Sequence, residues 1–475
     1  MAGKGYGNFA FMYDIHRGIY DWLSIAEKNA RLNIQNTGNP IRQALELFVK
    51  DLIGEHGLSA DIPLDLDLAE KLRLLNDERT LRAAGYLAPG QRIDQKPLLP
   101  YAAYDRVRRR YAYEVRYTVN KDNAVGFEVE SGSYYYLVRK VGNTFSHPEE
   151  NQGDPRKTFD NLCIALDAFY KILIKRYRVK NMPAFSRNKM PIGEFIVDST
   201  MEPEDKILSG CTMEFMAHIP SRLGKTYALL RQYPKGNLDE NFIQRNADCF
   251  DVATMSTPSG VPDGMTRMRA LNQIDSNNEF YVIAYLFNQP AQVLSNEILR
   301  KLSLQQRLEL CKELVEALQT LHTLAHPIQH RLLNFNSIYV TEYENKWTPH
   351  IVKLDFAKIN IGVPIQGFTV GVQAAEASAE LLKQQLTARY LAPEWKTEKT
   401  KDVNWEQVDI YSLGVMLLDI LNGQSSLVSI DTVIDQVSAL GLPESLVELV
   451  AEMTNEASGQ RTKLAPVLAA FKEVI

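Results

Sequence analysis

The run from Arg106 to Tyr117, "RVRRRYAYEVRY", sets Arg106, Arg108, Arg109, Arg110 and Arg116 among Tyr111, Tyr113 and Tyr117. Guanidinium groups grip phosphate through paired N–H donors, and tyrosine rings stack on unpaired bases. Arg106, Arg108, Arg109, Arg110 and Tyr111 are therefore RNA-binding candidates. The competing reading is a solvated charged face, and the net charge of −5 supplies no global pull toward nucleic acid. A second run, Gly224-Lys225-Thr226, has the ending of a phosphate loop. That motif needs a glycine five residues earlier, where Ile219 stands, so the run reads as a turn between two strands. Cys163, Cys211, Cys249 and Cys311 are scattered without a CxxC pair. This argues against a zinc site or disulfide framework and fits a reducing cytosol.

The elements that must carry these groups follow from periodicity. A chain of 475 residues with 45% apolar and 23% charged residues has room for two or three globular domains. No apolar run approaches the ~20 residues of a membrane span, and "MAGKGYGNFAFMYDI" lacks the apolar core of a secretion signal. The expectation is a cytoplasmic protein with no membrane partner. "NPIRQALELFVKDLIGEHG" predicts a helix with Asn39 as cap, Pro40 in the first turn and Gly54 at its end. Its apolar stripe is Ile41, Ala44, Leu45, Phe48, Val49, Leu52 and Ile53. A second helix is expected over 157–178, with Leu162, Leu166, Phe169 and Leu173 on one face. The aromatic and β-branched stretches between them fit strands or helix ends alike. Prolines at 183 and 191 mark a boundary near 181–192. Beyond it, "GEFIVD", "CTMEFMAHI", "KTYALLRQY" and "EFYVIAYLF" read as strands, 238–255 as helical, and the chain after 300 as mainly helical. Short strands are expected near 338–341 and 350–355. Strands followed by helices imply a small sheet-rich lobe joined to a larger helical one.

Six strings then occur in a telling order. "EFYVIAYLF" (279–287) precedes "LCKELVEALQTLH" (310–322), His330-Arg331, "KLDFA" (353–357), "ARYLAPE" (388–394) and "VDIYSLGVMLLDILNG" (408–423), with Arg461 late in "GQRT". In this order and spacing residues 190–475 resemble the protein kinase fold. The resemblance implies a structural pair between Glu394 and Arg461, and an Asp409 that receives backbone N–H groups from the 330–333 loop. It also implies that Arg231 and Asp355 bind nucleotide, with Asp355 as metal ligand and ATP with magnesium as the cofactor. The chemical positions depart from the family. Leu332 stands in place of the catalytic aspartate, Ser337 in place of the metal-holding asparagine and Ala357 in place of the glycine of the metal turn. Arg231 replaces the phosphate-gripping lysine, and Asn246 aligns with the glutamate that would pair with it. No glycine-rich loop joins the first two strands. Loss of a positioned base alone costs ~10²–10⁴-fold in rate. The resemblance is therefore to a pseudokinase.

The N-terminal half carries a second resemblance. "PIRQALELFVKDLI" (40–53) and "LVRKVGNTFSH" (137–147) resemble parts of the HEPN family, helical proteins that include metal-independent ribonucleases. The likeness implies Arg139, Asn143 and His147 as catalytic residues, without a cofactor, in a site completed by homodimerisation. Histidine serves as acid or base, arginine clamps phosphate and Asn143 orients an oxygen. Seven residues separate Arg139 from His147, a wider gap than in the family's catalytic pattern. The bland alternative is a hydrogen-bonded cluster that fixes a helix end.

The expected fold is thus multidomain. An all-α HEPN-like bundle (1–182) precedes an α+β bilobal kinase-like fold, with a small lobe at 183–290 and a helical large lobe at 291–475. The expected function is a pseudokinase that senses a nucleotide or a regulatory protein partner and controls an RNA-cleaving or RNA-binding HEPN dimer. By analogy with kinase-like components of prokaryotic anti-phage systems, the context is defence or stress. Two other readings stay open: an inactive adaptor that uses both modules for protein binding, and an unorthodox ATP-dependent phosphotransferase.

Overall fold

The computed structural model describes residues 5–55, 66–69, 71–72, 102–105, 110–113, 134–146, 158–204, 206, 210–221, 224–235, 267–272, 279–354, 357–359, 389–394, 403–425 and 428–475. At 102–105, 110–113, 134–136, 221, 224 and 359 it describes the backbone alone. The chain divides into two units, 1–199 with 272–281, and 200–271 with 282–475.

Amphipathic helices build the first unit: α1 (Met12–Ile15), α2 (Arg17–Asn29), α3 (Gly38–Glu55), α4 (Tyr134–Ser146) and α5 (Phe159–Tyr177). Every member of the predicted α3 stripe is buried, as are Leu162, Leu166, Phe169 and Leu173 of α5, and they share one core. Thr158 caps α5 by accepting from the Asn161 N–H, and the helix stops at Arg178 in the left-handed region (φ 53°). The start of α3 differs from expectation. Asn33 caps a 3₁₀ turn over Ile34–Thr37, and α3 follows at Gly38, so Asn39 lies inside the helix and caps nothing. The 3₁₀ turn runs directly into α3 at a position that requires glycine, since a Cβ at Gly38 would lie 2.5 Å from both the Gly142 carbonyl oxygen and the Ser146 nitrogen of α4. Gly54 likewise lies within α3 rather than ending it. The expectation of an all-α region also needs correction. Ala102–Asp105 (β1) and Arg110–Tyr113 (β2) pair antiparallel, with Asp105 opposite Arg110, as suits a stretch rich in tyrosine. Residues 272–281 join this unit through Asn272 Nδ2, which donates to the Leu32 carbonyl, and through Phe280 packed edge-on against Phe159.

In the second unit, β3 (Ile196–Met201), β4 (Met213–Ser221), β5 (Gly224–Pro234), β6 (Arg267–Ala270) and β7 (Phe280–Phe287) form a sheet of order β3-β4-β5-β7-β6; β3 and β7 each straddle the division between units. The β4–β5 pairing is antiparallel and closes Ser221 onto Gly224. Gly224, Lys225 and Thr226 therefore open β5 and are not themselves the turn, which corrects the sequence reading. Strands β8 (Ala291–Val293), β10 (Ile338–Tyr343) and β11 (Lys346–Ile351) form a second sheet, and β9 (Ile328–Gln329) pairs with β12 (Lys358–Ile359). The strand expected near 350–355 is thus β11, which ends at Ile351. The helix expected over 238–255 lies outside the described residues.

Helices α6 (Asn296–Leu299), α7 (Leu304–Thr323), α8 (Trp405–Asn422), α9 (Ile430–Ser438), α10 (Glu444–Met453) and α11 (Leu464–Val474) also belong to this unit. Ser303 and Gln306 form a capping box at the start of α7, satisfying two otherwise orphaned N–H groups. From Val408 to Leu421, α8 is buried without interruption and lies at the centre of the second core. It ends at Gly423 with φ 78°, a conformation that favours glycine. Among the described residues, no helix is long and apolar enough to cross a membrane.

Candidate functional site

The loop 330–337 joins β9 to β10, and most of its polar groups hold its own shape. His330 Nε2 meets the Val352 carbonyl at 2.9 Å, and the Leu332 N–H reaches His330 Nδ1 at 3.4 Å. Arg331 takes a left-handed conformation (φ 70°) and lays its guanidinium over the Trp405 ring at 4.0 Å. Asn334 organises the rest. Its Nδ2 donates to the Leu332 carbonyl, its Oδ1 accepts from the Asn336 N–H, and its own N–H donates to Ser337 Oγ at 2.9 Å. The Ser337 hydroxyl donates back to the Asn334 carbonyl at 2.7 Å. Ser337 is 2% exposed and both donates and accepts within this capping box, and Leu332, buried, offers no proton acceptor.

Asp409 fastens the loop from below. Its two carboxylate oxygens accept from the His330 and Arg331 N–H groups at 2.7 Å each, and His322 Nε2 lies 3.0 Å away. Asp409 is fully buried, and these contacts engage both of its oxygens. Glu394 and Arg461 form a second buried anchor, with Nη1–Oε1 at 2.5 Å and Nη2–Oε2 at 2.8 Å. Arg461 also donates to the Gln407 and Asn455 carbonyls, and stacks over Tyr411. A third anchor joins Arg389, Tyr390 and Asp419. Burial pushes the Asp419 carboxyl up from its usual range, and the Arg389 guanidinium acts in the opposite sense.

Arg231 occupies the middle of β5, in a stretch buried from Ala228 to Tyr233. Directly opposite it in the β4–β5 register stands Glu214. Arg231 Nε lies 3.1 Å from Glu214 Oε1, and Lys353 Nζ approaches the same oxygen at 2.9 Å. The three side chains are 0%, 1% and 7% exposed. Lys353 follows β11 with φ 64°, and the next N–H, of Leu354, donates to the Tyr285 hydroxyl. Two cations thus share one carboxylate, and the pairing ties β4 and β5 to the segment after β11. In this arrangement Arg231 has no surface to present to a phosphate. Ala357 is fully buried, and its N–H donates to the Leu354 carbonyl. Asp355 and Asn246 lie outside the described residues.

In the first unit, Arg139 and Asn143 sit one helical turn apart on α4, on a common face, both half-buried. His147 lies outside the described residues, as do Arg106, Arg108 and Arg109. Arg110 and Tyr111 are placed by their backbone in β2. Sequence reasoning missed Glu214, Lys353 and Asn334. Glu214 had a signal. An arginine inside an apolar strand needs a partner, and a two-residue connection after Ser221 sets residue 214 opposite 231. Asn334 also had one, as an N-x-x-S cap pattern. Lys353 had none, because its role depends on the left-handed turn it makes.

No protein-family model matches the chain, and no curated protein matches it. Among solved structures, the chain is similar to the crystal structure of the Mycobacterium tuberculosis PknI kinase domain. The identity is 12% and the TM-score 0.38, over 61% of this chain and 98% of that one. This is a weak, distant resemblance to a protein-kinase-like fold in general terms. The chain combines an N-terminal helical region with a mixed α+β region of that general kind.

Proposed function

We propose that residues 200–475 are a pseudokinase that acts as a regulatory module on a HEPN-like helical region, which binds or cleaves RNA. One observation carries the reading. In the 330–337 loop, where a phosphotransferase would hold its base and a cation, the structure has a buried Leu332 and a Ser337 hydroxyl spent on Asn334. Phosphoryl transfer depends on positioned charge, and this loop has no carboxylate to supply it. The Glu214 pairing favours a protein partner over a nucleotide as the regulator, since Arg231 is enclosed. The effector role rests on Arg139, Asn143 and His147 in the α4 region, with the Arg106–Tyr111 stretch as RNA contact and a homodimer completing the site. A prokaryotic defence or stress response is the context.

The test incubates the full chain with total RNA, alone and with host lysate as a source of regulator. Cleavage that survives chelation of metals and is lost in His147→Ala supports the reading. Cleavage that His147→Ala leaves intact refutes the assigned site. Inertness of the wild type under every condition favours the adaptor reading, in which both modules only bind proteins.

A further inference from the structure

We propose that Glu27 operates a proton-sensitive clasp, which fastens the connecting chain at 183–193 to the helical unit. The clasp has three layers. Glu27 on α2 is wholly buried, and its Oε1 accepts from the Asn8 backbone N–H at 3.1 Å and from Asn8 Nδ2 at 2.7 Å. The Asn8 amide then reads the connecting chain on both sides. Its Nδ2 donates to the Ser186 carbonyl at 3.0 Å, and its Oδ1 accepts from the Ser186 N–H at 2.8 Å. Flanking bonds extend the seam: Arg31 Nη2 to the Arg187 carbonyl, the Tyr170 hydroxyl to the Pro183 carbonyl, and the Gly193 N–H to the Lys28 carbonyl. Gly7 passes so close to Glu27 that a Cβ there would lie 2.2 Å from Oε2. One buried carboxyl therefore holds the N-terminal segment, and through Asn8 it holds the chain that leads into the second unit.

The same connecting chain has a further role in the helical unit. With α5 it walls a cavity of about 590 Å³, lined by Cys163, Tyr170, Lys171, Met182, Phe185 and Arg187 among others. Opening the clasp would remove one wall of that cavity.

Protons enter because burial favours the neutral acid. Desolvation pushes the Glu27 carboxyl up to about 7, against the opposing hydrogen bonds of Asn8 and Phe9 and the charge of Arg31. The other groups around it are Arg31 just past α2, Arg187 on the connecting chain, and Asp160, Cys163 and Tyr170 on α5. Burial holds Arg31 at about 10 and Cys163 at about 12, so both keep one protonation state between pH 6 and 8. Arg187 is paired with Asp160. Among these described groups, Glu27 is the one that titrates in this window. When Asn8 leaves, Glu27 is hydrated and returns toward its ordinary value of 4.5. The closed form thus binds the proton more tightly, so acid closes the clasp and base loosens it.

Hydrogen exchange of the full-length protein reads this directly, with protection factors for peptides containing Ser186 corrected for intrinsic rate. The expected result is protection roughly tenfold lower at pH 8 than at pH 6, from the linkage of a group moving between 4.5 and about 7. Glu27→Gln keeps the acceptor oxygen and removes the charge; it should hold the high protection at both pH values. Asn8→Ala should lose protection at both. Equal protection of the wild type at pH 6 and 8 overturns the proposal, even if neither variant folds. Retention of the wild-type slope by Glu27→Gln, or of wild-type protection by Asn8→Ala, overturns it equally.

Discussion

Replacing Glu214 with glutamine leaves Arg231 and Lys353 facing each other around a neutral amide in a site almost closed to water. Removing one partner of a buried ion pair typically costs ~3–5 kcal/mol, because the remaining charge stays buried and uncompensated. Glu214 lies 3.1 Å from Arg231 and 2.9 Å from Lys353, so the same range applies to its replacement. For a unit of this size each kcal/mol lowers the melting temperature by about 2–4 °C, so Glu214→Gln should lower it by roughly 10 °C. Tryptophan fluorescence follows the second unit, which holds Trp347, Trp395 and Trp405 against Trp22 in the first. A triple replacement, Glu214→Leu with Arg231→Met and Lys353→Met, should recover most of the loss, because apolar substitution of a buried ion cluster is often neutral or stabilising. A shift below about 2 °C for Glu214→Gln would refute the argument. So would a triple variant no more stable than the single one.

Two further outcomes follow from the buried groups. Arg461→Lys retains the charge but cannot donate to both oxygens of Glu394, and should cost about 2–3 kcal/mol in the same fluorescence melt. For Glu27 the folded-state value of about 7 lies above the ordinary 4.5, so its contribution is fully present below pH 4.5 and lost as pH rises through 7. The first unit should lose about 2–3 kcal/mol between pH 5 and pH 8 by urea denaturation, and Glu27→Gln should flatten that profile.

Much of this architecture could be read in advance wherever a residue's role was set by local pattern. The α3 stripe and the α5 face follow from 3.6-residue spacing alone, and both are buried. The stretch 408–423 is expected as a buried helix from the resemblance, and α8 is buried from Val408 to Leu421. What pattern could not give were features fixed by distant packing. Gly38, where α3 begins, abuts α4, a contact across about a hundred residues of sequence. Arg231 reads as a nucleotide-binding cation, and the pattern does not show the cross-strand Glu214 beside it or Lys353, more than 120 positions away, on the same carboxylate. Glu27 carries no signal in its sequence neighbourhood that sets it apart from other surface acids. Only the fold of the N-terminal segment over it makes it a buried, near-neutral acid.

The account stands on the 330–337 loop lacking a base, and phosphate transfer measures that most directly. The full chain is incubated with γ-labelled ATP, magnesium or manganese and generic protein acceptors, beside an Asp355→Ala control. The predicted result is label incorporation no greater than in a protein-free blank, the same for both proteins. Stoichiometric transfer by the wild type that disappears in Asp355→Ala would contradict it.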